Sequence, residues 1–149
     1  MLPRLRASEP PLRSELLSVE QLARHAQALA AGHAIVTARG GNPLLPRLDE
    51  NERILRDFNR ATVAVDQTRQ VTPAAEWLLD NFYLIEEQIQ MARRHLPRNY
   101  SQELPRLLNG PSAGLPRVYD IVLELISHTD AQVDAGQLTR FVAAYQDVQ

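Results

Sequence analysis

The stretch PAAEWLLDNFYLIEEQIQMARRH, residues 73–95, carries the pattern from which the fold class is predicted. Its apolar residues recur at steps of four, three, four and three, the spacing of one face of an α-helix. They are Leu78, Phe82, Ile85, Ile89 and Ala92. Thr72 can cap this helix, Pro73 suits its first position, and Pro97 follows its end. The stretch therefore predicts one long amphipathic helix.

The same stretch carries four acidic residues, and carboxyl groups of this kind serve as catalytic pairs in some enzymes. They are Glu76, Asp80, Glu86 and Glu87. Glycoside hydrolysis uses two carboxyl groups about 5–9 Å apart, and Glu76 and Asp80 satisfy that distance as any pair one turn apart would. All four fit the polar side of the helix. We therefore predict that they face water and that the chain contains no catalytic residue.

Trp77, Leu84 and Met91 follow a second stripe of the same helix, next to the apolar seam. Because a wider apolar stripe indicates deeper burial, we expect Trp77 to pack in the interior.

Helical spacing recurs along the rest of the chain. A first helix is predicted from a capping box of Ser18 and Gln21, with Gly32 as its stop. A second is predicted over 48–67, a short one over 100–108, and another from Pro116 to His128. A last helix follows a second capping box, Asp134 with Gln137. The apolar residues expected to face inward from the last two long helices are Val118, Ile121, Val122, Leu125, Ile126, Leu138, Phe141, Val142 and Tyr145.

These patterns predict an all-α, multi-helix bundle of about five helices joined by Pro- and Gly-rich loops. Residues 1–17 are expected to be an irregular lead-in, and residues 18–149 a helical domain. The stretch AIVTA, residues 34–38, is expected to be a short extended segment.

Composition excludes several function classes. The chain of 149 residues has a net charge of −2 and no cysteine, so attraction to nucleic acid, disulfides and thiolate chemistry are not expected. No apolar run approaches the roughly 20 residues of a membrane span, and the first residues do not resemble a secretory signal. We therefore expect a cytoplasmic protein without a membrane span.

The histidines do not follow a metal-binding spacing. His25, His33, His95 and His128 form no HxxxH or HExxH motif, so the sequence predicts no metal site, and one would have to be assembled by folding. Ser127, His128 and Asp130 contain the residue types of a hydrolase triad. Neighbours in sequence cannot easily adopt the triad geometry, so that interpretation is not favoured.

Two sets of residues are candidate binding positions. Arg93, Arg94, Arg98 and Tyr100 could bind phosphate or lipid headgroups, although cations at the end of a helix also offset its dipole. Trp77, Tyr83 and Tyr100 are candidates for stacking on sugar rings.

Five segments follow one another along the chain: LRSELLSVEQLARHAQALA (12–30), LLPRLDENERILRDFNRA (44–61), VTPAAEWLLDNFYLIEEQIQMARRHLP (71–97), ELPRLLNGPSAGLPRVYDIVLELISHTD (103–130) and LTRFVAAYQDVQ (138–149). Taken in this order, they resemble the N-terminal region of bacterial cyclic β-1,2-glucan synthases. The resemblance extends over nearly the whole chain and is most specific between Thr72 and Pro97.

This resemblance implies that the chain is part of a very long inner-membrane enzyme. Enzymes of that family carry a cytoplasmic glycosyltransferase domain that uses UDP-glucose and a divalent metal, and a C-terminal phosphorylase-like domain. No catalytic motif of the family lies in these residues, so neither a catalytic position nor a cofactor is expected in this chain itself.

Three hypotheses follow. The first is a non-catalytic, cytosolic helical module that packs against the remaining domains of such an enzyme, with self-association in isolation as a further possibility. The second is a module that binds carbohydrate or a nucleotide sugar. The third is enzymatic activity in the chain itself, based on Glu76 or Asp80.

Overall fold

The computed structural model describes residues 14–66, 72–96 and 99–148. These residues form two compact units, one built from the described residues up to Val36 together with those from Pro105 onward, the other from Thr37–Leu104. The helices are α1 (Val19–Gly32), α2 (Leu44–Asp66), α3 (Pro73–His95), α4 (Arg117–His128) and α5 (Ala135–Gln146). The predicted all-helical fold class is confirmed. Of the lead-in expected at residues 1–17, the part before residue 14 lies outside the described residues.

Both predicted capping boxes are present in the first unit. The Ser18 hydroxyl accepts a hydrogen bond from the Gln21 backbone N–H, and the Gln21 side chain accepts one from the Ser18 N–H at 2.8 Å. Asp134 and Gln137 repeat this exchange at the start of α5. Each box satisfies N–H groups that the first turn of a helix leaves without partners.

The core of the first unit lies where α1 packs against α4 and α5. Alanines on α1 let the neighbouring helices approach closely, while leucine and aromatic side chains fill the remaining space. The buried residues of this core are Leu22, Ala26, Ala30, Ile121, Leu125, Phe141, Ala144 and Tyr145.

Three residues expected in this core are exposed instead. Val118 and Val122 on α4 are 48% and 37% exposed, and Leu138 on α5 is 39% exposed. The prediction was wrong for them because α4 buries the narrow stripe of Ile121 and Leu125. Apolar residues on the flanks of that stripe stay open to water.

A short antiparallel pair of strands closes the first unit near the end of α1. β1 (Ile35–Val36) pairs with β2 (Arg106–Leu107), with Ile35 opposite Leu107. The extended segment expected at 34–38 is thus confirmed in part. The short helix expected over 100–108 is wrong. Pro105 explains the difference, because proline disfavours helical backbone in the residue before it and supplies no N–H.

The second unit is a pair of helices, α2 and α3, in contact with each other. α3 begins as predicted, with the Thr72 hydroxyl accepting from the Ala75 N–H and Pro73 in the first position. α2 begins at Leu44, earlier than the predicted residue 48. Pro46 then lies in the first turn, where its missing N–H costs no hydrogen bond. The predicted end at residue 67 lies outside the described residues.

Ion pairs connect the two helices of the second unit. Arg56 of α2 lies 2.9 Å from Glu86 of α3, and Arg93 of α3 lies 2.8 Å from Asp49 and also contacts Glu52. Glu86, expected to face only water, therefore has a partner on α2. These pairs identify the side of α3 that faces α2.

Trp77 lies on the opposite side of α3, and the expectation that it packs in the interior is wrong. Its side chain is 61% exposed, and Leu84 and Met91 are 40% and 46% exposed. Each helical residue turns by about 100°, so Leu84 points about 200° away from Glu86. Trp77 and Met91, seven residues to either side of Leu84, share its direction. We call these three residues the Trp77 stripe.

Candidate functional site

The first unit contains a cavity of about 340 Å³. The end of α1 lines it with Leu29 and His33, and α4 lines it with Asp120 and Glu124. The loop after β2 completes the wall and includes Ser112, which is buried. The cavity thus combines apolar surface with a few polar groups, the usual composition of a small-molecule site.

Asn109 holds the loop after β2 against the end of α1. Its side-chain oxygen accepts a hydrogen bond from the Ala34 N–H at 3.0 Å, and its amide donates to the Gly32 carbonyl at 2.8 Å. Gly110 follows with a φ of +77°, a left-handed conformation that glycine adopts without steric cost. The rim of the cavity is therefore fixed by hydrogen bonds.

A chain of three buried side chains connects three elements beside the cavity. His33 Nδ1 lies 2.7 Å from the Tyr145 hydroxyl of α5, and His33 Nε2 lies 3.1 Å from Asp120 Oδ2 of α4. A carboxylate only accepts hydrogen bonds, so a neutral His33 donates through Nε2 and accepts from Tyr145 through Nδ1. The chain thereby fixes the Asp120 carboxyl at the cavity wall.

The Tyr145 hydroxyl is neutral and donates its hydrogen bond to His33 Nδ1. Burial raises the pKa of its hydroxyl, Arg117 lowers it, and Asp120 raises it further, with a net upward shift. The Arg117 guanidinium lies 5.7 Å from the centre of the Tyr145 ring. A hydroxyl that keeps its proton is suited to positioning His33.

A second polar cluster lies between α1 and α4. His25 Nε2 is 2.8 Å and His128 Nε2 is 3.6 Å from the same oxygen, Glu124 Oε2. All three potential metal-ligand atoms lie within 4.8 Å of one another. His25 and Glu124 are about 30% exposed at their side chains, so the cluster is open to an ion from solvent.

Ser127, His128 and Asp130, which have the residue types of a hydrolase triad, do not form one. The Ser127 hydroxyl donates to the Glu124 carbonyl at 2.9 Å, and His128 Nδ1 donates to the Glu15 carbonyl at 2.7 Å. Both groups are thus occupied by backbone oxygens, as the sequence led us to expect.

The described binding residues predicted from the sequence lie in the second unit, and those on α3 point in different directions. Trp77 and Tyr83 are both exposed on α3, but six residues of helix place them about 120° apart around the axis. Arg93 is engaged by acidic residues of α2, whereas Arg94 is exposed in the last turn of α3. Tyr100 is 51% exposed. Arg98 lies outside the described residues.

The cavity residues were missed at the level of sequence. His33, Asp120 and Tyr145 are far apart in the chain and belong to no common motif. For the second cluster, the sequence offered one local signal: Glu124 and His128 are four residues apart and therefore lie on one face of a helix.

Among the described residues, no helix is both long enough and apolar enough to cross a membrane. Comparison with known proteins matches the chain to the cyclic beta-(1,2)-glucan synthase NdvB of Rhizobium meliloti (strain 1021). The two sequences are 37% identical over 99 residues, 66% of this chain. The chain resembles a segment of a cyclic β-1,2-glucan synthase. The resemblance predicted from the sequence is therefore confirmed.

The matched region is a small part of that relative, because it spans only 4% of the length of NdvB. No protein-family model matches the chain, and no solved structure matches it. The similarity to the glucan synthase therefore comes from sequence alone.

Proposed function

We propose that this chain is a non-catalytic helical module of a long, cyclic β-1,2-glucan synthase-like glycosyltransferase. It packs against other domains of that enzyme on the cytoplasmic side of the inner membrane. The parent enzyme would polymerise and cyclise glucose from UDP-glucose with a divalent metal. The similarity to a short part of NdvB supports a longer parent.

The single observation that supports a packing role is the Trp77 stripe. Trp77, Leu84 and Met91 present apolar surface along two turns on each side of Leu84. Large apolar side chains grouped on one helix face are typical of protein contact surfaces. Tryptophan is also among the residues that contribute most binding energy at such surfaces.

The contacts between α2 and α3 hold the Trp77 stripe on a preorganised helix. Arg56 and Arg93 each bridge α2 and α3, and Ile89 is buried on the side of α3 away from the stripe. A preorganised helix loses little conformational freedom on binding, so more of the contact energy appears as affinity. We therefore propose that the Trp77 stripe contacts the other domains of the parent enzyme.

The coding sequence around the chain provides the first test. It should encode hydrophobic spans and a glycosyltransferase domain in the same reading frame. A reading frame without them would refute the proposed parent.

Binding between the chain and the rest of that polypeptide provides the second test. The two parts are produced separately and mixed, and their complex is measured by size-exclusion chromatography. Trp77→Ala should weaken the complex by at least about tenfold, the effect of losing an interface hot spot. Tyr83→Ala is the matched control, because it truncates an exposed aromatic residue on another side of α3. Equal affinity of both variants and the unmodified chain would refute the role of the stripe.

A second candidate function is carbohydrate binding, which the cavity of the first unit favours through the few polar groups on its apolar wall. Asp120 and Glu124 can accept hydrogen bonds from sugar hydroxyls, whereas their charge would repel the diphosphate of a nucleotide sugar. A neutral β-1,2-glucan is therefore the expected ligand. Isothermal titration with this glucan and with UDP-glucose distinguishes the two.

Two variants locate any carbohydrate binding. Loss of glucan binding in Asp120→Asn, with binding retained in Trp77→Ala, would place it in the cavity. The reverse result would place it at the exposed tryptophan. Absence of binding heat for both ligands would eliminate this candidate.

A further inference from the structure

The geometry points to a metal site in the first unit: we propose that His25, Glu124 and His128 bind one divalent transition-metal ion of the zinc type. Two imidazoles and one carboxylate are a ligand set that zinc accepts, with a fourth position left for water or a ligand oxygen. The three side chains come from α1 and α4, and their ligand atoms lie within 4.8 Å of one another.

The hydrogen bond made by His128 Nδ1 directs its other ring nitrogen toward Glu124. Nδ1 lies 2.7 Å from the Glu15 carbonyl oxygen, which can only accept, so Nδ1 is the donor. Nε2 then lies 3.6 Å from Glu124 Oε2. This separation is close to that of two ligand atoms on one zinc ion, about 3.4 Å.

The bond from His128 to Glu15 also matches the surroundings of known metal sites. A ligating histidine usually donates its other ring N–H to a carbonyl or carboxylate, which fixes the ring and selects the coordinating nitrogen. Here the Glu15 carbonyl takes that part and leaves Nε2 for the metal.

Zinc binding requires the side chains to adjust, because the ligand atoms lie within 4.8 Å of one another and not at one common separation. Zinc bonds of 2.0–2.1 Å in a tetrahedron separate neighbouring ligand atoms by about 3.4 Å. The distance from His128 to Glu124 is already 3.6 Å, and that from His25 to Glu124 would open from 2.8 Å. His25 would also move its proton from Nε2 to Nδ1, so a neutral ring coordinates through Nε2.

The backbone that carries the ligands is held by the core. Leu22 and Ala26 flank His25 on α1, and Leu125 lies between Glu124 and His128 on α4; all three are buried. Glu124 and His128 are four residues apart and thus share one helix face. Two ligands on one helix and a third on a packed neighbour form a largely preorganised site.

Isothermal titration of the metal-stripped chain with Zn²⁺ tests the proposal. We expect one ion per chain. His25→Ala and His128→Ala should each weaken binding by at least about tenfold, because each removes a direct ligand. His95→Ala is the matched control, since His95 is an exposed histidine in the second unit. Its Zn²⁺ affinity should equal that of the unmodified chain.

Two outcomes would overturn the proposal. One is no stoichiometric Zn²⁺ binding by the unmodified chain. The other is unchanged affinity in the His25 and His128 variants, which would place the ion elsewhere.

A measurement on the unmodified chain covers the case in which an alanine variant fails to fold. Zn²⁺ should shift the imidazole NMR signals of His25 and His128 and leave that of His95 in place. Shifts at His95 alone, or none at all, would refute the site.

Discussion

Tyr145→Phe tests the buried chain of Tyr145, His33 and Asp120 without changing the packing of the core. The substitution removes one hydroxyl and keeps the ring, so the contacts of α5 with α1 remain. It removes the 2.7 Å hydrogen bond to His33 Nδ1 in a position where the histidine side chain is only 8% exposed. Breaking a hydrogen bond inside a buried polar network costs about 1–3 kcal/mol. We expect a loss of about 2 kcal/mol in the free energy of unfolding.

Urea denaturation followed by far-ultraviolet circular dichroism measures this loss. Tryptophan fluorescence is unsuitable, because the single tryptophan, Trp77, lies in the second unit. With a slope of about 2 kcal/mol per molar urea, the midpoint should fall by about 1 M. Tyr83→Phe removes the same hydroxyl from a side chain that is 64% exposed, and it should change stability by less than about 0.5 kcal/mol. Equal midpoints for the two variants would refute the reasoning.

Alkaline pH provides an independent measurement on the same residue. The pKa of Tyr145 lies above the ordinary tyrosine value of 10.0. The folded state therefore holds the phenolic proton more tightly than the unfolded state does. The corresponding stability is fully present below pH 10 and is lost as the pH rises through the raised value. Tyr145→Phe should lack this component, so its stability should decline less steeply above pH 10. Parallel declines would contradict the assignment.

Five further substitutions, two of them controls, test the packing of each unit and one helix cap by urea denaturation. Leu125→Ala, at a fully buried position, should lower the free energy of unfolding by about 2–5 kcal/mol. Leu108→Ala, at a 62% exposed position, should lower it by less than about 1 kcal/mol. Similar losses in the two variants would contradict the assigned core. Ile89→Asp should unfold the second unit because it buries a charge without a partner, and Leu84→Asp on the same helix should leave it folded. Ser18→Ala should cost about 1 kcal/mol through the lost N-cap, and an unchanged midpoint would show that this cap does not stabilise α1.

Local signals predicted the helix starts well. Ser18 and Asp134 cap α1 and α5, as the sequence predicted. The prediction succeeds because a capping box involves only four consecutive residues. Thr72 and Pro73 start α3 for the same reason. These features depend on neighbours along the chain and on nothing more distant.

Burial was predicted less well, because periodicity shows which residues share a face and not which face meets another helix. Trp77 and Val118 are apolar and correctly spaced, yet both are exposed. The covered side of α3 faces α2, where Arg56 lies 2.9 Å from Glu86, and no pattern within one helix reveals such a contact between two helices.

The candidate sites depended on still longer separations. His25 and Glu124 are brought together by packing between α1 and α4, and His33 meets Tyr145 through packing between α1 and α5. No sequence motif joins these positions. The sequence predicted no metal site because the histidines lack a ligand spacing, and the cluster of His25, Glu124 and His128 is assembled only by folding.

The order of the two units along the chain has a consequence during synthesis on the ribosome. α2 and α3 are neighbours in sequence and can pair as soon as both have emerged. In contrast, Leu22 and Ala26 form their core contacts with Phe141 and Tyr145, which are translated about 120 residues later. At bacterial elongation rates this delay lasts about 6–25 s. Until α5 emerges, only α4 is available to cover part of the apolar side of α1, and α1 makes most of its contacts with α5. Nascent chains stalled before α5 should therefore be the ones that chaperones bind and proteases cleave near α1.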